Sequence, residues 1–358
     1  MLNLRREALL TLKPYEATIG DFPVKLDANE SPFDFPREMK ERALKILKET
    51  PFNRYPGKIV KEVQELLARF SGVSEDMLVL GNGCDEIIQM ILLGFGVSRK
   101  AVIPVPTFSM YKIAALVTGA QPVEIPLTPG FRLNTREILA RAKDKAGVIF
   151  ICNPNNPTGN LFPYEDIETI LEGTRFLVAV DEAYWDFGPT TALKLMEKYE
   201  RLVVLRTLSK SFGLAGLRIG YAIARPEVAR EIQKVRQPYN MDSLSLSVAK
   251  VALENPSYRE AFIRFISNER ERVYRGLSAM KGVIPFESRT NFILFRTEYP
   301  ARLVWERLKD RGVIVRDFSS LPLLEGCLRV TIGAEEENNA FLIALREVLT
   351  ELERGRCS

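Results

Sequence analysis

An α/β fold, with a largely parallel sheet flanked by helices and a smaller α+β region after it, is what this residue pattern predicts. Three observations carry that reading. Short apolar runs, several rich in β-branched residues, recur at Ala101–Val105, Val148–Cys152, Phe176–Val180, Leu202–Leu205 and Ile219–Ala224, and such runs suit strands buried on both faces. Helix-like segments such as Pro163–Leu171 separate some of them, the alternation that winds a parallel sheet. From about Asn240 the pattern changes: a helix leads to strand-like Asn291–Phe295, Val313–Val315 and Cys327–Ile332, with helix-like Ala301–Lys309 and Asn338–Leu352 among them.

Taken in order, the chain starts with an arm, residues 1–44, expected to pack on the smaller region or on a partner subunit. A large domain over 45–255 and a small one over 256–358 follow, because 358 residues are too many for one small core. Within the large domain, Ile59, Val63, Leu66, Leu67 and Phe70 fall on one helical face and Gly72 stops that helix. Leu78–Leu80 then runs into Gly81-Asn82-Gly83-Cys84-Asp85-Glu86 and an apolar helix. There is no internal repeat and no low-complexity tract.

Composition removes whole classes of chemistry. A net charge of +4 over this length gives no reason to invoke nucleic acid or a membrane surface. The stretch Ile87–Val97 is too short to cross a bilayer and is interrupted by Gln89. Residues 1–15 lack the apolar region of a secretion signal. Cys84, Cys152, Cys327 and Cys357 form no close pair, so a reducing cytoplasm is expected and a disulfide framework or zinc site is not. The chain has no histidine, which removes His-based nucleophile schemes and His-ligated metals. Proton transfers must then fall to Lys, Tyr, Asp, Glu or a cofactor.

Several strands end in chemically equipped loops: Val105 in Pro106-Thr107-Phe108, Cys152 in the run Asn153 to Gly159, Val180 in Asp181-Glu182-Ala183-Tyr184, and Leu205 in Arg206-Thr207-Leu208-Ser209-Lys210. Open α/β sheets bind ligands beyond the carboxyl ends of their strands, so these loops are expected to meet at one site. A lone lysine among 50 basic residues is ordinarily a surface charge. Lys210 stands apart through its neighbours: Ser209 before it and Arg218 eight residues on could hold a phosphate, and lysine suits Schiff-base chemistry when its pKa is lowered. Asp181 would ordinarily be a cap or turn residue, but a carboxylate ending a buried strand also suits a protonated pyridine nitrogen. Tyr184 and Asn156 could reach that ring's phenolic oxygen. Gly83 lets backbone amides approach a phosphate at a helix N-terminus, while Glu86 stands where a dinucleotide fingerprint needs its third glycine. Phe108 would ordinarily be core, and could equally stack on an aromatic ring.

These stretches, together with Pro14-Tyr15, Leu26 to Pro32, Asn53-Arg54-Tyr55-Pro56, Pro106 to Tyr111 and Leu328 to Gly333, resemble the fold-type I pyridoxal-phosphate (PLP) dependent enzymes of the aspartate aminotransferase superfamily. Within it they resemble the histidinol-phosphate aminotransferase family. The resemblance spans nearly the whole chain. It implies that Lys210 is the Schiff-base lysine and proton shuttle, and that Asp181 pairs with the pyridinium nitrogen. It also implies that Tyr184 and Asn156 bond the ring oxygen and that Phe108 stacks on the ring. Gly83, Cys84, Asp85, Ser209 and Arg218 would surround the cofactor phosphate, with Tyr55 reaching it from the other subunit of a homodimer. Arg329 would bind the substrate carboxylate. Arg316 and Tyr15 would recognise the substrate phosphate, near Asn29 of the arm. Cys84 departs from the family's usual serine, which a backbone contact survives. The resemblance further implies ping-pong transfer of an amino group between L-histidinol phosphate and 2-oxoglutarate, in histidine biosynthesis. Competing readings are a threonine-phosphate decarboxylase, an aromatic or other amino-acid aminotransferase, and a PLP-sensing regulator, which would need an added DNA-binding segment. A nicotinamide dehydrogenase is disfavoured by the failed glycine fingerprint.

Overall fold

A computed structural model of the chain describes residues 6–12 and 20–357; Tyr15 lies outside them. In chain order the regular elements begin with β1 (Val24–Lys25), α1 (Arg37–Glu49), α2 (Lys58–Ser71), β2 (Leu78–Asn82), α3 (Gly83–Phe95), β3 (Lys100–Val105), α4 (Met110–Thr118), β4 (Gln121–Pro126), α5 (Thr135–Arg141) and β5 (Ala146–Cys152). They continue with α6 (Tyr164–Gly173), β6 (Leu177–Asp181), β7 (Leu202–Thr207), β8 (Ile219–Ala224), α7 (Pro226–Lys234), α8 (Ser243–Glu254) and α9 (Ser257–Ser278). The last are β9 (Val283–Pro285), β10 (Phe292–Thr297), α10 (Ala301–Asp310), β11 (Val313–Ile314), β12 (Arg316–Asp317), β13 (Cys327–Thr331) and α11 (Glu335–Cys357).

Seven strands form the large sheet in the order β2-β8-β7-β6-β5-β3-β4. Its inner pairs are parallel, and only β8 runs against its two neighbours. No helix long enough for a crossover separates β7 from β8, so the chain turns straight back and pairs antiparallel. That return loop carries Lys210 and emerges at the carboxyl end of the sheet.

Both sheet faces are buried, and successive residues alternate between them. In β6, Val178 and Val180 join one core with Val204, Ile151 and Leu67, while Leu177 and Ala179 join the other with Val203, Phe150 and Ile91. This is why these strands read as unbroken apolar runs instead of alternating ones. The α2 stripe lies where its spacing places it, and Gly72 ends the helix at φ 70°, its N–H bonded to the Ala68 and Arg69 carbonyls.

A second sheet, β12-β13-β10-β9, is antiparallel throughout. It shares a separate core with α9, α10 and α11, built from residues such as Ile266, Phe295, Val304, Val330 and Phe341. The arm lies beside this sheet: β1 pairs parallel with β11 in a separate two-stranded sheet, and the Thr331 N–H at the end of β13 donates to the Leu26 carbonyl at 2.9 Å. The expected boundary at residue 44 falls inside α1, whose Met39 and Ala43 pack, with Phe35, into the core of the large sheet. Tyr184, from the large sheet, sits in the core of the second sheet, edge-on to Phe292 at 5.2 Å. No helix among the described residues is long and apolar enough to cross a membrane.

Candidate active site

The carboxyl ends of β5 and β6 lie side by side, with Cys152 opposite Asp181 in register. Asp181, the last residue of β6, is buried. Its Oδ2 accepts from the Tyr111 hydroxyl at 2.6 Å and its Oδ1 from the Ala183 N–H at 3.0 Å. Burial pushes its carboxyl up to about 6, against the pull of those two donors. A buried carboxylate held this way is short of a cation, and a protonated pyridine nitrogen would supply one. The next residue, Glu182, has its own counter-charge: Arg206 binds its Oε2 through Nε at 3.1 Å and Nη2 at 3.0 Å. That pair ties the end of β6 to β7, and the Arg206 guanidinium lies 3.9 Å over the Trp185 ring.

Lys210 extends from the β7–β8 return into the same space. Its half-buried amine donates to the carbonyl of Asn29 at 3.1 Å and is 3.5 Å from that of Ala28. Burial, and then the positive charge of Arg329, lower it to about 8. An amine with that value keeps a far larger neutral fraction near physiological pH than an ordinary lysine, and the neutral form is the nucleophile and base. Its Nζ stands 5.8 Å from the centre of the Tyr184 ring. The Tyr184 oxygen accepts from Asn29 Nδ2 at 2.8 Å, and no acceptor for its own proton occurs among the described residues.

Below Lys210, the start of α3 forms an anion cradle. Gly83 has φ 77°, a left-handed conformation that strains any residue with a Cβ, and such a Cβ would also push against Arg218 Nη2 at 2.5 Å. The free N–H groups of a helix start and a guanidinium together suit a phosphate. Arg218 holds a left-handed backbone, φ 52°, and pairs with Asp85 at 2.9 Å. Asp85 therefore positions the guanidinium. The Cys84 thiol turns away to the Arg206 carbonyl at 3.2 Å, leaving its backbone as the group available to an anion. Ser209 is buried, its Oγ accepting from Thr207 Oγ1 at 2.9 Å.

On the side of the second sheet, Arg329 donates from Nη1 to Asn156 Oδ1 at 2.5 Å and from Nη2 to the Asp27 carbonyl at 2.7 Å. Asn156, expected to face a ring oxygen, is thus engaged by Arg329. Arg316 lies opposite Arg329 in the β12–β13 register, so both project from one face of the sheet. Asn29 is buried at φ 55°, and its N–H donates to Thr331 Oγ1 at 2.9 Å. Phe108 is half-buried and meets the Tyr111 ring edge-on at 5.6 Å. Tyr55 is 74% exposed and stacks on Tyr239 at 4.2 Å. The structure therefore brings Asn29, Asn156, Asp181, Tyr184, Lys210 and Arg329 into one bonded and electrostatically linked group, with Gly83, Cys84, Asp85 and Arg218 in a second group near it.

Sequence reasoning gave no role to Tyr111, Thr331 or Asn291, although the first two lie in its quoted stretches. Tyr111 orients Asp181, Thr331 fixes Asn29, and Asn291 Nδ2 donates to the Asn29 carbonyl at 3.0 Å. Tyr111 sits one helical turn after Phe108, which is a weak signal; nothing in the chain marks the other two.

A family model described as aminotransferase class I and II matches residues 23–345. The chain belongs to that family. This aminotransferase is 44% identical to the histidinol-phosphate aminotransferase of Aquifex aeolicus over 344 residues, 95% of this chain and 97% of that one. It is 39% identical over 352 residues to the enzyme of the same name from Caldanaerobacter subterraneus subsp. tengcongensis, covering 97% and 99% of the two chains. Among solved structures, it resembles a histidinol-phosphate aminotransferase from Sinorhizobium meliloti crystallised with pyridoxal-5'-phosphate. The TM-score is 0.88 at 24% identity, over 98% and 99% of the chains, which is a likeness of fold.

Proposed function

We propose that this aminotransferase uses PLP, held at Lys210, to move an amino group between L-histidinol phosphate and 2-oxoglutarate, giving imidazole-acetol phosphate and L-glutamate. One observation carries the chemistry: the half-buried amine of Lys210, lowered to about 8, in the same site as the buried carboxylate of Asp181. The substrate rests on the full-length relatives of that name. Arg316 and Arg329 on one face also suit substrates that carry a carboxylate or a phosphate.

Bound there, the cofactor supplies an electron sink for negative charge developing on the substrate α-carbon. Asp181, oriented by Tyr111, holds a proton at the ring nitrogen. Tyr184 would donate to the ring oxygen. Gly83 and Cys84 N–H groups, Ser209 and Arg218 would hold the cofactor phosphate. The neutral amine of Lys210 takes the proton from the α-carbon of the amino substrate. Arg329 would bind a substrate carboxylate, and Asn156, now bonded to Arg329, would be a further donor for the ring oxygen. Phe108 would cover one ring face.

The working unit is a homodimer. Phe52, Tyr55 and Tyr239 are 83%, 74% and 59% exposed, and exposed aromatic clusters favour an interface. Tyr55 would reach the partner's phosphate cradle from there. Free Cys84, Cys152 and Cys327 suit a reducing cytoplasm.

The test is an absorbance titration of PLP-loaded protein. A visible band that Lys210→Ala lacks, and that L-glutamate and histidinol phosphate each bleach when added alone, is expected. A band bleached by other amines but untouched by histidinol phosphate would refute the substrate. A band independent of Lys210 would refute the chemistry.

A further inference from the structure

Helical spacing places Ser267, Arg270, Glu271 and Tyr274 along one face of α9. With the segment before β10, which brings Ser288 and Arg289, that face encloses a cavity of about 290 Å³. Arg270 is half-buried, and its Nη1 donates to the Thr290 carbonyl at 2.6 Å. Arg289 is exposed at the rim. Among the described residues neither guanidinium makes an ion pair. Glu271 is turned toward Arg275 at 3.7 Å, and Glu287, also at the rim, pairs with neither arginine. Burial, with the charge of Arg289 second, pulls Arg270 down to about 10. Two like-charged groups, one half-buried and one at the rim, thus face the cavity with hydroxyls beside them, and the carboxylates of Glu271 and Glu287 on its wall make an ion pair with neither.

We propose that this cavity is a binding site for a phosphate-type oxyanion, gripped by Arg270 and Arg289 and completed by the hydroxyls of Ser267 and Tyr274. Guanidinium forks and hydroxyl donors are the groups that recognise such anions. The site uses none of the residues assigned to the cofactor or substrate, and it stands independently of that reading. It is nonetheless wired to the active site. The Arg289 N–H donates to the Gly159 carbonyl at 2.7 Å, at the end of the loop that carries Asn156. Ser288 packs so closely there that a Cβ on Gly159 would stand 2.8 Å from its Oγ. Two residues beyond Arg289, Asn291 holds the Asn29 carbonyl at 3.0 Å. An anion bridging α9 and residues 288–289 would brace both contacts.

The experiment is calorimetric titration of the PLP-loaded full chain with inorganic phosphate, against chloride at matched ionic strength. Arg289→Gln changes an exposed side chain and leaves the fold intact; Arg270→Gln is the second variant. A phosphate-binding event weakened about tenfold or more by either substitution is expected, since each removes a charged donor. Phosphate held elsewhere, for instance between Arg316 and Arg329, would bind Arg289→Gln as it binds the parent, and an unchanged isotherm overturns the proposal. Heat that chloride reproduces overturns it too. A parallel titration with glycerol phosphate separates sources: tighter binding than phosphate marks a phosphorylated metabolite, and equal or weaker binding marks the free ion.

Discussion

The amine of Lys210 should cost the cofactor-free protein stability, and replacing it with an apolar side chain of similar length should recover that cost. Its folded-state value is about 8 against an ordinary 10.5. At about 1.4 kcal/mol per pH unit, the gap corresponds to about 3 kcal/mol. Water reaching the half-buried side chain brings the working figure to about 2 kcal/mol. The sign follows from proton counting. Between pH 8 and pH 10.5 the unfolded chain keeps the proton and the folded chain has lost it, so stability rises with pH across that window. Below about pH 8 the penalty is fully present. Urea unfolding of apoprotein and Lys210→Met, at one protein concentration because any self-association is linked to folding, should show the variant more stable by about 2 kcal/mol near pH 7. The advantage should shrink as pH approaches 10.5. A difference that stays constant with pH would show that burial of charge is not its source. A variant less stable than the parent near pH 7 would refute the reasoning outright.

Arg329→Lys keeps the charge but loses the planar fork that now spans Asn156 and the Asp27 carbonyl. The KM for glutamate should rise about tenfold or more with the cofactor band intact, since two parallel bonds become one. Tyr111→Phe removes the donor to Asp181 Oδ2, so the carboxyl, already raised to about 6, should rise further. The acid limb of the kcat profile should then move to higher pH, and kcat should fall about tenfold; a limb that stays in place would mean that Tyr111 only fills space.

The seven-stranded sheet was legible because strands buried on both faces must be apolar throughout, and Val148–Cys152, Phe176–Val180 and Leu202–Leu205 were located to within a residue or two. β4 was not, because Gln121–Pro126 lies at the sheet edge and is largely half-buried or exposed, so its sequence carries no apolar run. The α1 stripe of Met39 and Ala43 was equally thin, and the boundary set at 44 cut through it.

In the site, local chemistry was readable at Lys210, Asp181 and Gly83, where one residue must meet an unusual local demand: a reactive amine, a strand-end carboxylate, a left-handed turn. Partnerships were not. That Tyr111 bonds Asp181, 70 positions away, or that Asn29 meets Thr331, 302 positions away, depends on how α4 and the arm pack across the sheets. The chain's order of residues dictates periodicity, turns and reactive groups, since these are properties of neighbours. Only the tertiary structure decides which carbonyls face Lys210 and which charges lower its pKa, because burial and long-range pairing arise when distant segments exclude water together.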